Sequence, residues 1–219
     1  MKSQLRIQLT GGSGIGKTTL AKWLATNYGI PFVSGSYSDL VPSTRKEKHT
    51  LMIQKEAKKV FEQDIQLINA RNKSLQGENN YVTDRSYVDS IAYAINKLSH
   101  RLPQCDIEHI EGICNTLLDQ QTTHLIFLPF DKEHMDKWEM ENNNKRITNV
   151  YYQFQVTQII YGILKNLGYK KDKFLSWSVG QEVGYIRPRP DSVELPVLIL
   201  REMDFEMRKK YTKKFLQVL

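Results

Sequence analysis

Leu5, Ile7 and Leu9 alternate with Arg6 and Gln8, a period of two that predicts a strand ending at Thr10. The period then lengthens. Leu20, Ala21, Trp23, Leu24 and Ala25 form the apolar stripe of a helix that stops near Tyr28 and Gly29, where the glycine suits a left-handed cap. Pro31, Phe32 and Val33 read as a second, short strand, followed by a turn from Ser34 to Asp39. Thr44, with Glu47 as its capping-box partner, begins a long helix that runs to about Lys73 and carries Leu51, Val60, Phe61, Ile65 and Ile68. Tyr81 to Asp84 is a third strand, helices follow over 87–98 and 106–118, and the wholly apolar run 125–128 reads as a strand buried on both faces. Residues 131–146 are polar and asparagine-rich, as in a flexible lid; a helix over 147–167 closes at Gly168, and a strand is expected over 174–177.

Strands that alternate with helices predict a three-layer α/β/α sandwich around a mainly parallel sheet. The principal domain is expected to span residues 1–186, and residues 187–219, which include the strand-like run 197–200, read as a small basic appendage. In its last helix Phe205, Tyr211, Phe215, Leu216 and Leu219 would pack, while Arg208, Lys209, Lys210, Lys213 and Lys214 would face outward.

Charge narrows the partners. With 219 residues, a net charge of +7 and a pI near 9.2, the chain suits an anionic partner, either a nucleotide or a nucleic acid. Its two cysteines, Cys105 and Cys114, form no C-x-x-C pair; with His109 they lack a fourth zinc ligand and a recognised spacing, and reduced thiols are expected. No apolar run approaches the ~20 residues that span a bilayer. The expectation is a protein without membrane contact, in the cytoplasm or, for a viral source, the host's cytoplasm; a homodimer is compatible with it.

The most specific signal joins the first strand to the first helix. Gly11, Gly12, Ser13, Gly14, Ile15, Gly16, Lys17 and Thr18 complete the pattern G-x-x-x-x-G-K-[ST]. In this pattern the glycines let consecutive backbone N–H groups turn around phosphate oxygens, and the helix N-terminus adds the positive end of its dipole. Lys17, read as a charge in a solvated loop, would reach the β and γ phosphates, Thr18 would ligate Mg²⁺, and Thr19 is a candidate for the α phosphate.

A second signal lies at the end of the third strand, the edge where open α/β sheets bind ligands. Asp84 there would hold Mg²⁺ directly or through water, and Arg85 offers a planar fork to phosphate oxygens; the competing role for Asp84 or Ser86 is to cap the next helix. The run from Asp84 to Tyr93, with Ser90, Ala92 and Tyr93 at matching places, resembles the DR[YS]-x-x-S-x-x-AY segment of thymidylate kinases. Its Asp-Arg-Ser start is similar to the acidic-Arg-Ser motif of deoxynucleoside kinases. Together with the phosphate loop, the resemblance extends to P-loop kinases of phages and bacteria that include the ribosylnicotinamide kinases, and covers about residues 4–186.

The resemblance implies that Asp84 serves the metal, that Arg85 contacts the acceptor or the transferred phosphoryl group, and that a lid arginine closes over ATP, for which Arg146 is the choice with Lys145 and Lys137 behind it. Ser36, Tyr37 and Asp39 would lie on the substrate side, and Gln63 would read the base. One departure stands out. Deoxynucleoside kinases usually carry a glutamate at the end of the second strand, whereas this chain has Val33, Ser34, Gly35 and Ser36, with Asp39 the nearest carboxylate. An acceptor that is already a phosphate needs no such base.

The leading expectation is therefore an ATP- and Mg²⁺-dependent kinase acting on a nucleoside or nucleoside monophosphate, a pyrimidine deoxynucleotide above all. Two alternatives stand beside it: a kinase for a modified pyrimidine such as 5-hydroxymethyluracil in DNA, and a nucleotide-dependent switch or ATPase with no small acceptor.

Overall fold

The computed structural model describes residues 4–35, 40, 57–130, 150–172, 181–201 and 204–218. Among these, the elements in chain order are β1 (Arg6–Gly11), α1 (Lys17–Tyr28), β2 (Phe32–Val33), α2 (Ala57–Leu75), β3 (Tyr81–Thr83), α3 (Tyr87–Leu98), α4 (Gln104–Gln121), β4 (His124–Leu128), α5 (Val150–Asn166), β5 (Lys170–Lys171), β6 (Gln181–Ile186), β7 (Leu195–Leu200) and α6 (Phe205–Val218).

The strands form one sheet in the order β2-β3-β1-β4-β7-β6-β5. The first five are parallel, and only β6 runs against its neighbours. Period-two geometry divides the apolar side chains between the two faces. Leu125 and Phe127 of β4, with Val197 and Ile199 of β7, join the core under α2, α3, α4 and α5. Ile126 and Leu128, with Leu198 and Leu200, join the core under α1 and α6. Helices on both faces make the three-layer sandwich, with β1, β4 and β7 buried at its centre.

Three features depart from expectation. The expected appendage after residue 186 is part of the main fold, because β7 sits inside the sheet, paired with β4 on one side and β6 on the other. The link before it is fastened too, since Arg189 forms an ion pair with Asp119 of α4. A division after residue 186 would fall between two paired strands. The second departure is β6, whose mixed sequence QEVGYI hid a strand that takes its register from β7. The expected strand over 174–177 and the expected helix start at Thr44 lie outside the described residues. The third concerns α6: its Arg208 is only 5% exposed and points into the protein, while Thr212 and Phe215 on the same face are fully buried.

Candidate active site

The loop after β1 owes its shape to glycine. Gly11 has φ 141°, and a Cβ there would sit 2.2 Å from the Leu128 carbonyl oxygen, so β4 leaves no room for a side chain. Gly16, at φ 86°, is the residue before α1; no side chain caps the first turn of that helix, so its backbone donors face the loop. That is the geometry of an anion site.

Lys17 corrects the expectation of a solvated charge. It is 5% exposed, because its ammonium folds back to donate to the carbonyl oxygens of Gly11, at 2.8 Å, and Gly12. Thr18 and Thr19 stay exposed at the start of α1. The Thr18 hydroxyl donates to Asp84 Oδ2 at 2.5 Å, and the other oxygen of Asp84 accepts from the Gly35 N–H at 2.9 Å. One carboxylate at the end of β3 thus joins the phosphate loop to the turn after β2. Gly35 permits this approach, since a Cβ there would lie 2.4 Å from Cβ of Arg85. Ser86, not Asp84, caps α3.

Arg85 lies beside Asp84 with its guanidinium 5.6 Å from the Tyr93 ring centre and 3.5 Å from the Tyr93 hydroxyl. Burial works against its charge, but Tyr93, Asp89 and Asp84 more than offset this and raise its pKa above the ordinary guanidinium value. Arg71 of α2 lies behind it and donates to the Ser86 carbonyl oxygen at 2.7 Å and to Ser90 Oγ at 2.8 Å. Burial lowers the Arg71 pKa, and Asp89 partly opposes that. The motif serine and tyrosine therefore work as partners of two buried or half-buried arginines.

Sequence reasoning missed three supports of the loop. Asp89, 1% exposed, accepts from Thr10 Oγ1 at 2.8 Å and from the Gly11 N–H at 2.9 Å, while its second oxygen accepts from the Ser86 N–H at 3.1 Å. The Ser86-x-x-Asp89 spacing signals a capping box, although nothing in it announces the bond to Gly11. Gln153 of α5 accepts from the Ser13 N–H at 2.6 Å, and one turn further on Thr157 accepts from the Phe130 N–H at 3.1 Å. Arg208 of α6 donates from a terminal nitrogen to the Ile15 carbonyl oxygen at 2.6 Å.

Of the other expected site residues, Gln63 is half-buried on α2 beside Asp64, whose carboxylate is occupied by Lys97 at 2.7 and 2.8 Å. Among the described residues no hydrogen bond links Gln63 to Asp84 or Arg85. Phe61 faces α4, where its ring is 6.3 Å from that of His109. Ser36, Tyr37, Asp39, Lys137, Lys145 and Arg146 lie outside the described residues, as does the lid of 131–146. No group of three or more His, Cys, Asp or Glu side chains among the described residues is placed to hold a metal, and no described helix is long and apolar enough to cross a membrane.

A five-stranded parallel core with a glycine-rich loop between β1 and α1, and an aspartate at the end of β3, is the α/β fold of the P-loop kinases. Residues 6–174 match AAA_28, an AAA domain family, and the chain belongs to it. No curated protein sequence matches. Among solved structures, deoxyadenosine kinase from M. mycoides with bound dATP is similar over 97% of this chain and 99% of that one, with a TM-score of 0.64 and 16% identity. The same enzyme with bound dCTP gives 0.62 and 15% over the same shares. The NadR protein in complex with NR shares 16% identity at a TM-score of 0.53, covering 76% of this chain and 44% of the other.

Proposed function

We propose that this protein is a kinase that transfers the γ-phosphoryl group of ATP to a nucleoside or nucleoside monophosphate, with a pyrimidine deoxynucleotide as the preferred acceptor. The observation that carries this reading is the junction of three segments at one point: the glycine-rich loop with Lys17, the Thr18 hydroxyl 2.5 Å from Asp84, and Arg85 next to it. Phosphoryl transfer asks a protein mainly to position reactants and neutralise charge on the moving group, and this cluster supplies donors and cations for both. The similar deoxyadenosine kinase structures hold dATP and dCTP, which supports a free nucleoside or nucleotide over a polymer.

Lys17 would exchange its two carbonyl partners for phosphate oxygens, at little cost in burial because it already lies under the loop. Thr18 and Asp84 present adjacent oxygen donors, a set that fits a hard divalent cation, and they would hold Mg²⁺. The ion would neutralise charge on the phosphates. Arg85, whose guanidinium lies against Tyr93 of α3, would grip the acceptor.

The experiment is a screen of labelled ATP against nucleosides, monophosphates and duplex DNA with modified pyrimidines, followed by Arg85→Lys on the best acceptor. Lysine keeps the charge and loses the planar fork, so the variant should raise the acceptor KM or lower kcat while the KM for ATP holds. ADP production that no acceptor accelerates would leave an ATPase and end the kinase reading. Acceptance confined to DNA, with affinity falling steeply with salt, would replace the small acceptor with a polymer.

A further inference from the structure

The loop between β1 and α1 receives a cation from the far end of the chain. Arg208 is 193 positions away from Ile15, yet it lies on α6 with 5% exposure and its guanidinium meets the Ile15 carbonyl oxygen at 2.6 Å. The approach is close enough that a Cβ on Gly16 would lie 2.9 Å from the same nitrogen. Gly16 itself is required by its left-handed φ of 86°, and the tip of the arginine lies against its open side.

This contact bears on the peptide between Ile15 and Gly16. The Ile15 carbonyl belongs to the same amide as the Gly16 N–H, one of the backbone donors that such a loop turns toward phosphate. A cationic donor on the carbonyl oxygen polarises the amide and makes its N–H a stronger donor, since linked hydrogen bonds reinforce one another. The arginine thus supplies orientation and positive potential at the carbonyl end of this peptide.

We propose that Arg208 is a positioning residue of the nucleotide site, which aligns and polarises the Ile15–Gly16 peptide toward the polyphosphate of a nucleoside di- or triphosphate. The proposal rests on the nucleotide reading above. It makes α6 part of the phosphate site, a role its run of basic residues conceals. Arg208 is set apart from that run by burial: Lys210, Lys213 and Lys214 are exposed, and Lys209 and Lys213 lie over the Trp23 ring at 5.7 and 5.4 Å.

The test is ADP affinity by calorimetry on the full chain. Arg208→Met should weaken ADP binding about tenfold or more, the scale of a lost charge-assisted hydrogen bond. Arg208→Lys and Arg208→Gln should fall between wild type and Arg208→Met, with lysine the better binder, while the acceptor KM holds in each. Phe215→Leu controls for docking, because it loosens the same helix without touching the loop: its Tm should fall and its ADP affinity should not. Equal ADP affinity in wild type and the Met, Lys and Gln variants overturns the proposal, and so does an equal loss in Phe215→Leu. Should Arg208→Met not fold, the order wild type, Lys, Gln decides. A wild type that binds neither ATP nor ADP overturns the nucleotide reading itself, which separates that failure from this one.

Discussion

Two aspartates five positions apart do different work. Asp84, buried at the end of β3, bridges the Thr18 hydroxyl and the Gly35 N–H, whereas Asp89 is sealed beneath the loop with three donors on its carboxylate. Asp89→Ala leaves the Thr10 hydroxyl and two backbone N–H groups without their acceptor, and hydrogen bonds to a charged group are each worth roughly 1.5–3 kcal/mol. It should lower the urea midpoint markedly. Asp84→Asn keeps the shape and loses the charge, so it should cost activity and Mg²⁺ response with little change in the midpoint. A stable, inactive Asp89→Ala together with an unfolded Asp84→Asn would reverse these assignments. The place of Asp84 at the end of β3 was legible from the sequence, because a strand ending in Asp-Arg is a local pattern. The bonds from Asp89 to Thr10 and Gly11 were not, because they join residues 79 and 78 positions apart.

At the scale of elements, sequence patterning recovered β1, α1 and α3 from their periodic apolar positions, and β3 and β4 from short apolar runs. It placed α6 with the wrong face inward at one position. Phe205, Arg208, Thr212 and Phe215 recur at helical spacing on one side, and the run Arg208-Lys209-Lys210 drew the arginine outward with the lysines. The join between α6 and the sheet has a second consequence. His124, the first residue of β4, meets the Phe215 ring edge-on at 5.6 Å, and burial pulls its pKa down to about 4. A histidine kept neutral in the fold binds fewer protons than in the unfolded chain between about pH 4 and its ordinary 6.5. Stability should therefore hold above pH 6.5 and fall as the pH drops through that window. Urea midpoints at pH 7 and 5 check this; in His124→Gln the difference between them should shrink.

Across the whole molecule, the phosphate loop is held from three helices: by Asp89 of α3, by Gln153 of α5 and by Arg208 of α6. The candidate site is thus a product of the complete sheet. Removing residues 187–219 should abolish folding, because β7 buries Leu195, Val197, Leu198, Ile199 and Leu200 at the centre of the sheet. Each such side chain contributes about 1.5–3 kcal/mol, and five of them rival the roughly 5–15 kcal/mol that holds a domain together. Far-UV circular dichroism and solubility of the shortened chain check this; a cooperative melt would show that the last strand is dispensable after all. The sequence concealed this dependence because spatial order departs from chain order, with β7 lying inside the two strands that precede it.

That order also sets a timetable for synthesis. While the chain is being made, β4 can pair with β1 as soon as both are available, but its other edge waits for residues 195–200. Until then an apolar strand, buried on both faces in the finished protein, presents unsatisfied backbone groups along one side. A nascent chain in this state is open to pairing with others of its kind, so fast elongation or a holding chaperone over that interval should favour soluble product.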